Sequence, residues 1–136
     1  MCGGVYYSYA GEDVRIHFPN PRACLPVCRR DGAVRLLTWG RRQGEAGHLP
    51  LGGWARLEGI YAGHWDKWFP QPVKLPVKSF MEKDIAGQGQ WFDLTRGQWI
   101  QGLVARDGDE YRVYVVVVVP EMAEAVHERW PRILSG

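Results

Sequence analysis

No apolar run in this sequence approaches the eighteen or so residues that a membrane-spanning helix needs, and its most conspicuous one is five valines, Val115 to Val119. Residues 1–20 also lack the basic-then-apolar pattern of a signal peptide. Both absences point to the cytoplasm. Cysteine is scarce: there are three, an odd number, and Cys24 and Cys28 flank Pro26 with no second Cys or His pair at zinc-ligand spacing. A disulfide framework and a metal site are therefore not expected, no cofactor is called for, and Cys24 and Cys28 read as buried reduced thiols. Low-complexity tracts and internal repeats are absent too.

Excess charge of one sign is missing overall, with 17 basic and 15 acidic residues giving +2, but the distribution is uneven. Residues 14–42 hold seven arginines (15, 22, 29, 30, 35, 41 and 42) against Asp31 alone, a local +6, whereas residues 84–136 hold five arginines against eight acids. A basic first third suits a phosphate backbone, with Arg29, Arg30, Arg41 and Arg42 placed to track it, although solvated strand faces would read the same way. Rings are abundant: seven Trp, six Tyr and four Phe in 136 residues. Trp39, Trp54, Trp65 and Trp68 suit the stacking of splayed bases, and at least half of them are expected in the core.

Short β-type runs fill most of the chain: "VYYSY", "VRIHF", "LPVCRR" and "AVRLLTW", the last two joined by an Asp-Gly hairpin signal. A second hairpin, "WIQGLVARDGDEYRVYVVVVV", turns near Asp107 and Gly108. Its valine run does not alternate, which marks a central strand covered on both faces. Pro120 and Glu121 then suit a helix first turn, predicting one helix over about 121–130 before Pro131. Gly- and Pro-rich residues 44–53 and 63–76 read as loops. The expected fold is one domain over 1–136, α+β, built on a curved, barrel-like and mainly antiparallel sheet with few helices.

Four separated pieces carry chemistry: "MCG" at the start, "WARLEG" at 54–59, "PVKSFMEK" at 76–83 and "VHERWP" at 126–131. In this order they resemble the SOS response-associated peptidase family, abasic-site-processing proteins whose motifs run M-C-G-R, N-A-R-x-E, P-A-x-G-F-Y-E-W and H-x-R-M-P. The resemblance implies three catalytic residues, Cys2 as nucleophile after removal of Met1, with Glu82 and His127. It aligns Arg56 and Glu58 with the arginine and acid of the second motif, "LLTWG" at 36–40 with a strand ending in R-W-G, and Arg129 and Pro131 with the fourth motif. Trp39, Arg41, Arg42, Trp54, Arg56 and Arg129 are then the expected DNA contacts, and single-stranded DNA with abasic sites the expected partner.

The residue types suit that chemistry. An open abasic sugar is an aldehyde, an α-amine titrates near roughly pH 8, and the thiol on the same carbon closes an imine into a thiazolidine. A carboxyl of raised pKa and an imidazole titrating near 6.5 would move the protons. The chain departs from the family at Gly4, where the motif has Arg, at Trp54, where it has Asn, and at Met81 and Lys83 around the glutamate. Trp54 either closes the pocket or substitutes stacking for a hydrogen bond, and a simple pairing of Glu58 with Arg56 across the strand face fits the second motif as well. Two other functions fit the same residues: a self-processing thiol peptidase with Cys2 and His127 as nucleophile and base, and an inactive module that binds single-stranded DNA.

Overall fold

The computed structural model describes residues 1–120 and 129–136. Strands occupy 52% of the chain and helices very little, consistent with an α+β class, and the ladders form no closed barrel. The path begins with β1 (Gly4–Tyr9) and β2 (Glu12–His17), then β3 (Cys24–Cys28) and β4 (Val34–Thr38). It continues through β5 (Trp54–Arg56), helix α1 (Leu57–Tyr61), a 3-10 turn (Asp66–Trp68), β6 (Gln71–Leu75), β7 (Ser79–Lys83) and β8 (Gly89–Asp93). The long hairpin strands β9 (Gln98–Asp107) and β10 (Glu110–Val118) follow, then short β11 (Trp130–Pro131) and β12 (Ile133–Ser135). No described helix is long and apolar enough to cross a membrane.

Two sheets result. One runs β2-β1-β7-β8, and the other β11-β10-β9-β6-β3-β4, with β12 added to β9 and β5 to β10. All pairings are antiparallel except that of β5 with β10. Both Asp-Gly hairpins form where the sequence places them, β3–β4 and β9–β10. At the far side β4 meets β10 through a single bridge, Trp39 to Val113, rather than a ladder.

The valine strand is central and doubly covered. Val113, Val115 and Val117 enter one core cluster with Val5, Tyr7 and Phe80 of the first sheet, while Tyr114 and Val116 point the other way into a second cluster with Leu49, Ala55 and Trp65. The side-chain period of two in a strand divides consecutive residues between these two cores. The Tyr7 hydroxyl donates to the Cys24 carbonyl at 2.8 Å and ties the sheets together.

Three expectations change, and a fourth falls mostly outside the described residues. Residues 63–76 are not all loop, because Gln71–Leu75 pairs with β9 despite Pro72. Helix α1, absent from the sequence reading, carries Leu57 and Ile60 against the second core. The helix expected over 121–130 lies outside the described residues except at its end, where Trp130 is in a strand paired with Val118. Cys24 and Cys28 are free thiols, half-buried rather than buried.

Close backbone packing around the Trp39 indole gives the first prediction. A Cβ on Gly53 would stand 2.6 Å from Phe18 Cδ1 and 2.7 Å from Trp39 Nε1. Trp39 is fully buried and its Nε1 donates to the Gly53 carbonyl at 2.9 Å, so it has little room to yield. Gly53→Ala is expected to lower stability by about 1–3 kcal/mol, as overpacking does, measured as a lower urea midpoint at constant m-value.

Candidate active site at the start of the chain

The ladder between β1 and β7 sets Gly4 opposite Met81, and Gly3 N–H donates to the Met81 carbonyl at 2.9 Å. Residues 1–3 therefore run beside Met81, Glu82 and Lys83. On β7 the side chains of Phe80 and Glu82 share one face by strand alternation, and that face is turned to the core. Glu82 is thus a carboxylate only 1% exposed. Burial of a charge is costly unless it is paired, and the amino nitrogen of Met1 lies 3.0 Å from Glu82 Oε1.

Cys2 sits in the same volume with no exposed surface, its Sγ 3.4 Å from the Gly4 carbonyl oxygen. Desolvation pushes its thiol well above the ordinary value of 9.0, and the negative charge of Glu82 pushes further in the same direction. The Cys2 carbonyl accepts a 2.6 Å hydrogen bond from Trp54 Nε1. Residue 2 is therefore gripped on one side by the Trp54 indole and on the other, through Gly3, by β7. Trp54 does not merely stack: it supplies a hydrogen bond, and its ring packs against Phe18 and Trp39 at centroid distances of 4.9 and 6.5 Å.

The remaining motif pieces also meet. β5 lies parallel to β10 along Val115–Val117 on the edge opposite β9, and β11 lies antiparallel to it along Val117 and Val118 on the other edge, so that "WARLEG" and "RWP" flank the same stretch of that strand. There Arg129 Nη1 donates to both carboxylate oxygens of Glu58, at 2.9 and 2.7 Å, across 71 positions of sequence. This bond is the main reason that the Glu58 carboxyl is held below its usual range. Glu58 is thus on α1 and paired with Arg129, not with Arg56 across a strand. Trp130 reaches the Phe80 ring at 5.0 Å, connecting the fourth piece to the strand of Glu82. His127 lies outside the described residues.

The expected DNA contacts divide by exposure. Arg56 is exposed. Trp39 is wholly buried, and Arg41 donates to the carbonyls of Leu49 and Glu45 at 2.6 Å each. Arg42 donates to the Phe18 carbonyl at 2.7 Å, lies over the Phe18 ring and pairs with Glu45 at 3.5 Å. Trp65 is buried against Tyr114. Sequence reasoning missed Phe18, which links Trp39, Trp54 and Arg42, and missed the Met1 nitrogen as the partner of Glu82. Neither carried a motif signal. Among the described residues, no three His, Cys, Asp or Glu side chains gather as a metal site.

Cys2 burial has a pH signature. Its folded pKa is raised, so its contribution to stability is intact below about pH 9 and is lost as pH rises, because the unfolded chain gives up a proton that the folded one keeps. Burial moves Tyr7 from 10.0 to about 12 and Tyr114 upward as well, extending the same loss above pH 10. Between pH 9 and 10 the Cys2 contribution to unfolding free energy should fall by about 1 kcal/mol. Urea midpoints measured across this range should drop for the wild type and drop less for Cys2→Ala. Parallel curves for the two proteins would contradict the buried thiol.

Compared with models of known protein families and with curated protein sequences, the chain matches none, which leaves the geometry around Cys2, Glu82 and Trp54 as the ground for a functional conclusion.

Proposed function

We propose that the chain captures abasic sites in single-stranded DNA covalently, acting in the cytoplasm at the nucleoid through the α-amine and thiol of Cys2 once Met1 is removed. The observation that carries this reading is the convergence of the start of the chain, the Cys2 thiol and the buried Glu82 carboxylate, with an amino nitrogen 3.0 Å from Oε1. Removal of Met1 exchanges that nitrogen for the α-amine of Cys2.

The chemistry then balances without an oxidant or reductant. The amine adds to the sugar aldehyde, and the carbinolamine loses water to give an imine. The thiol adds to the imine carbon, its sulfur forming the new bond while its proton ends on nitrogen, and a thiazolidine and one water are the products. Glu82 suits the proton transfers: beside both groups, it takes a proton from the incoming amine or thiol and returns one to the departing hydroxyl. A thiol kept neutral by burial is suited to this second, ring-closing step, in which the neutral group brings its own proton. It is less suited to a peptidase, whose cysteine needs a depressed pKa. Trp54 and the ladder to Met81 fix the backbone on either side of the reacting carbon, holding it in place for attack. Exposed Arg56, on β5 beside Trp54, is the side chain available to a phosphate.

Processed protein incubated with abasic single-stranded DNA should give an adduct that survives a denaturing gel. Cys2→Ser should trap DNA only when a reductant fixes the imine, Glu82→Gln should slow adduct formation by roughly 10²-fold, and protein retaining Met1 should give none. A processed wild-type chain that binds the same DNA reversibly yet yields no adduct would refute capture and favour a binding module.

A further inference from the structure

A second concave site lies at the other end of β3. The Cys24 end of this strand touches Tyr7 and leads through Ala23 to Trp39, hence to the surroundings of Cys2. Its Cys28 end is four residues away, about 13 Å along the strand. There the sheet splits. β3 and β6 share one register pair, Cys28 with Lys74, whereas β3 and β4 share five and β6 and β9 share five. Beyond that pair the chain turns through Arg29–Ala33 on one side and Gln71–Val73 on the other, and among the described residues the chain after β4 meets β10 at the distant Val113, through the Trp39 bridge and the Gly40 N–H. The seam opens into a cavity of about 710 Å³, with a second of about 580 Å³ sharing Arg29, Arg30 and Val73.

Its lining has two characters. The walls of the larger cavity are mainly apolar, formed by Val27, Leu37, Val73 and Val104 with the Tyr111 ring, and Trp99 lines the adjoining cavity. Arg29, Arg30 and Arg35 stand at its edge, exposed, and Lys74 lines the adjoining cavity; none of the four makes an ion pair among the described residues. The acid in the lining, Asp31, has Oδ1 occupied by the Ala33 N–H at 2.9 Å, within its own turn. Four cations against one acid, over a mainly apolar floor of ligand-sized volume, suit a molecule with an apolar body and an anionic head.

We infer that this cleft binds a small amphiphilic anion, its carboxylate or phosphate held by Arg29, Arg30 and Arg35 and its body laid against Leu37, Val73 and Val104. The site is independent of the chemistry at Cys2.

The dye 1-anilinonaphthalene-8-sulfonate, an apolar body with one anionic group, is a direct probe. It should bind saturably at one per chain. Arg30→Gln combined with Arg35→Gln, both exposed positions, should weaken it about tenfold or more, while the uncharged N-phenyl-1-naphthylamine should bind both proteins alike. Iodoacetamide labelling of Cys28, which lines both cavities, should slow when the dye is bound. Displacement by dodecanoate would assign the body to a lipid chain, and displacement by adenosine monophosphate would assign it to a nucleotide; either supports the site. Dye binding that is unsaturable, indifferent to the arginine changes, or displaced by neither competitor overturns it, as does displacement by a short thymidine strand alone.

Discussion

Everything in this molecule hangs on one strand that has no wet face. β10 sends Val113, Val115 and Val117 to one core and Tyr114 and Val116 to the other, so neither sheet face can be left in water without losing several buried side chains. The first face draws the β2-β1-β7-β8 sheet against it and thereby brings Glu82 inward. The second is covered by Leu49, by α1 and by the Trp65 ring, which meets Tyr114 at 4.8 Å. Both of the strand's edges are used as well: β5 takes the one opposite β9 in parallel and β11 takes the other in antiparallel beyond the β9 ladder, so the segments that carry Glu58 and Arg129 flank the same stretch of β10.

Burial of Glu82 is the price of that arrangement, since a strand face that serves the core carries whatever residue alternation assigns to it. A buried carboxylate is costly unless it is paired, and the Met1 nitrogen is one partner, 3.0 Å from Oε1. The same negative charge discourages a thiolate at Cys2. Amine and thiol therefore share one neighbour: the amine pairs with the Glu82 carboxylate, and the thiol is favoured in its neutral form. Both must shed or pass a proton for an imine and a thiazolidine to form, and both have Glu82 beside them to receive it.

Much of the fold was legible because its signals are local. Asp-Gly turns mark both hairpins, and five valines without alternation mark β10. Helix α1 was not legible, since "LEGIY" is short, contains Gly59 and is helical only because Leu57 and Ile60 find the second core. β6 was hidden by Pro72, which a strand tolerates where one edge is unpaired, and the seam beside β3 is such an edge. At the site, the meeting of Cys2 with Glu82 was expected from motif order, whereas the Trp54 N–H bond to the Cys2 carbonyl was not, because a side chain's direction is a tertiary property. His127 falls outside the described residues.

Arginine shows where counting charge misleads. The basic first third looked like one phosphate track, but its members have different tasks. Arg41 and Arg42 close the loop that follows Trp39 by donating to the carbonyls of Glu45, Leu49 and Phe18, replacing backbone partners that a loop of this length lacks. Arg15 lies over the Tyr6 and Trp91 rings of the first sheet. Arg29, Arg30 and Arg35 are left without ion pairs among the described residues, and they gather around the β3–β4 turn rather than beside Cys2. Attraction for an anion depends on cations that are not already neutralised or hydrogen-bonded within the protein. Among the described residues, the unpaired cations of the first third that a ligand would meet therefore include those at the open seam, Arg29, Arg30 and Arg35.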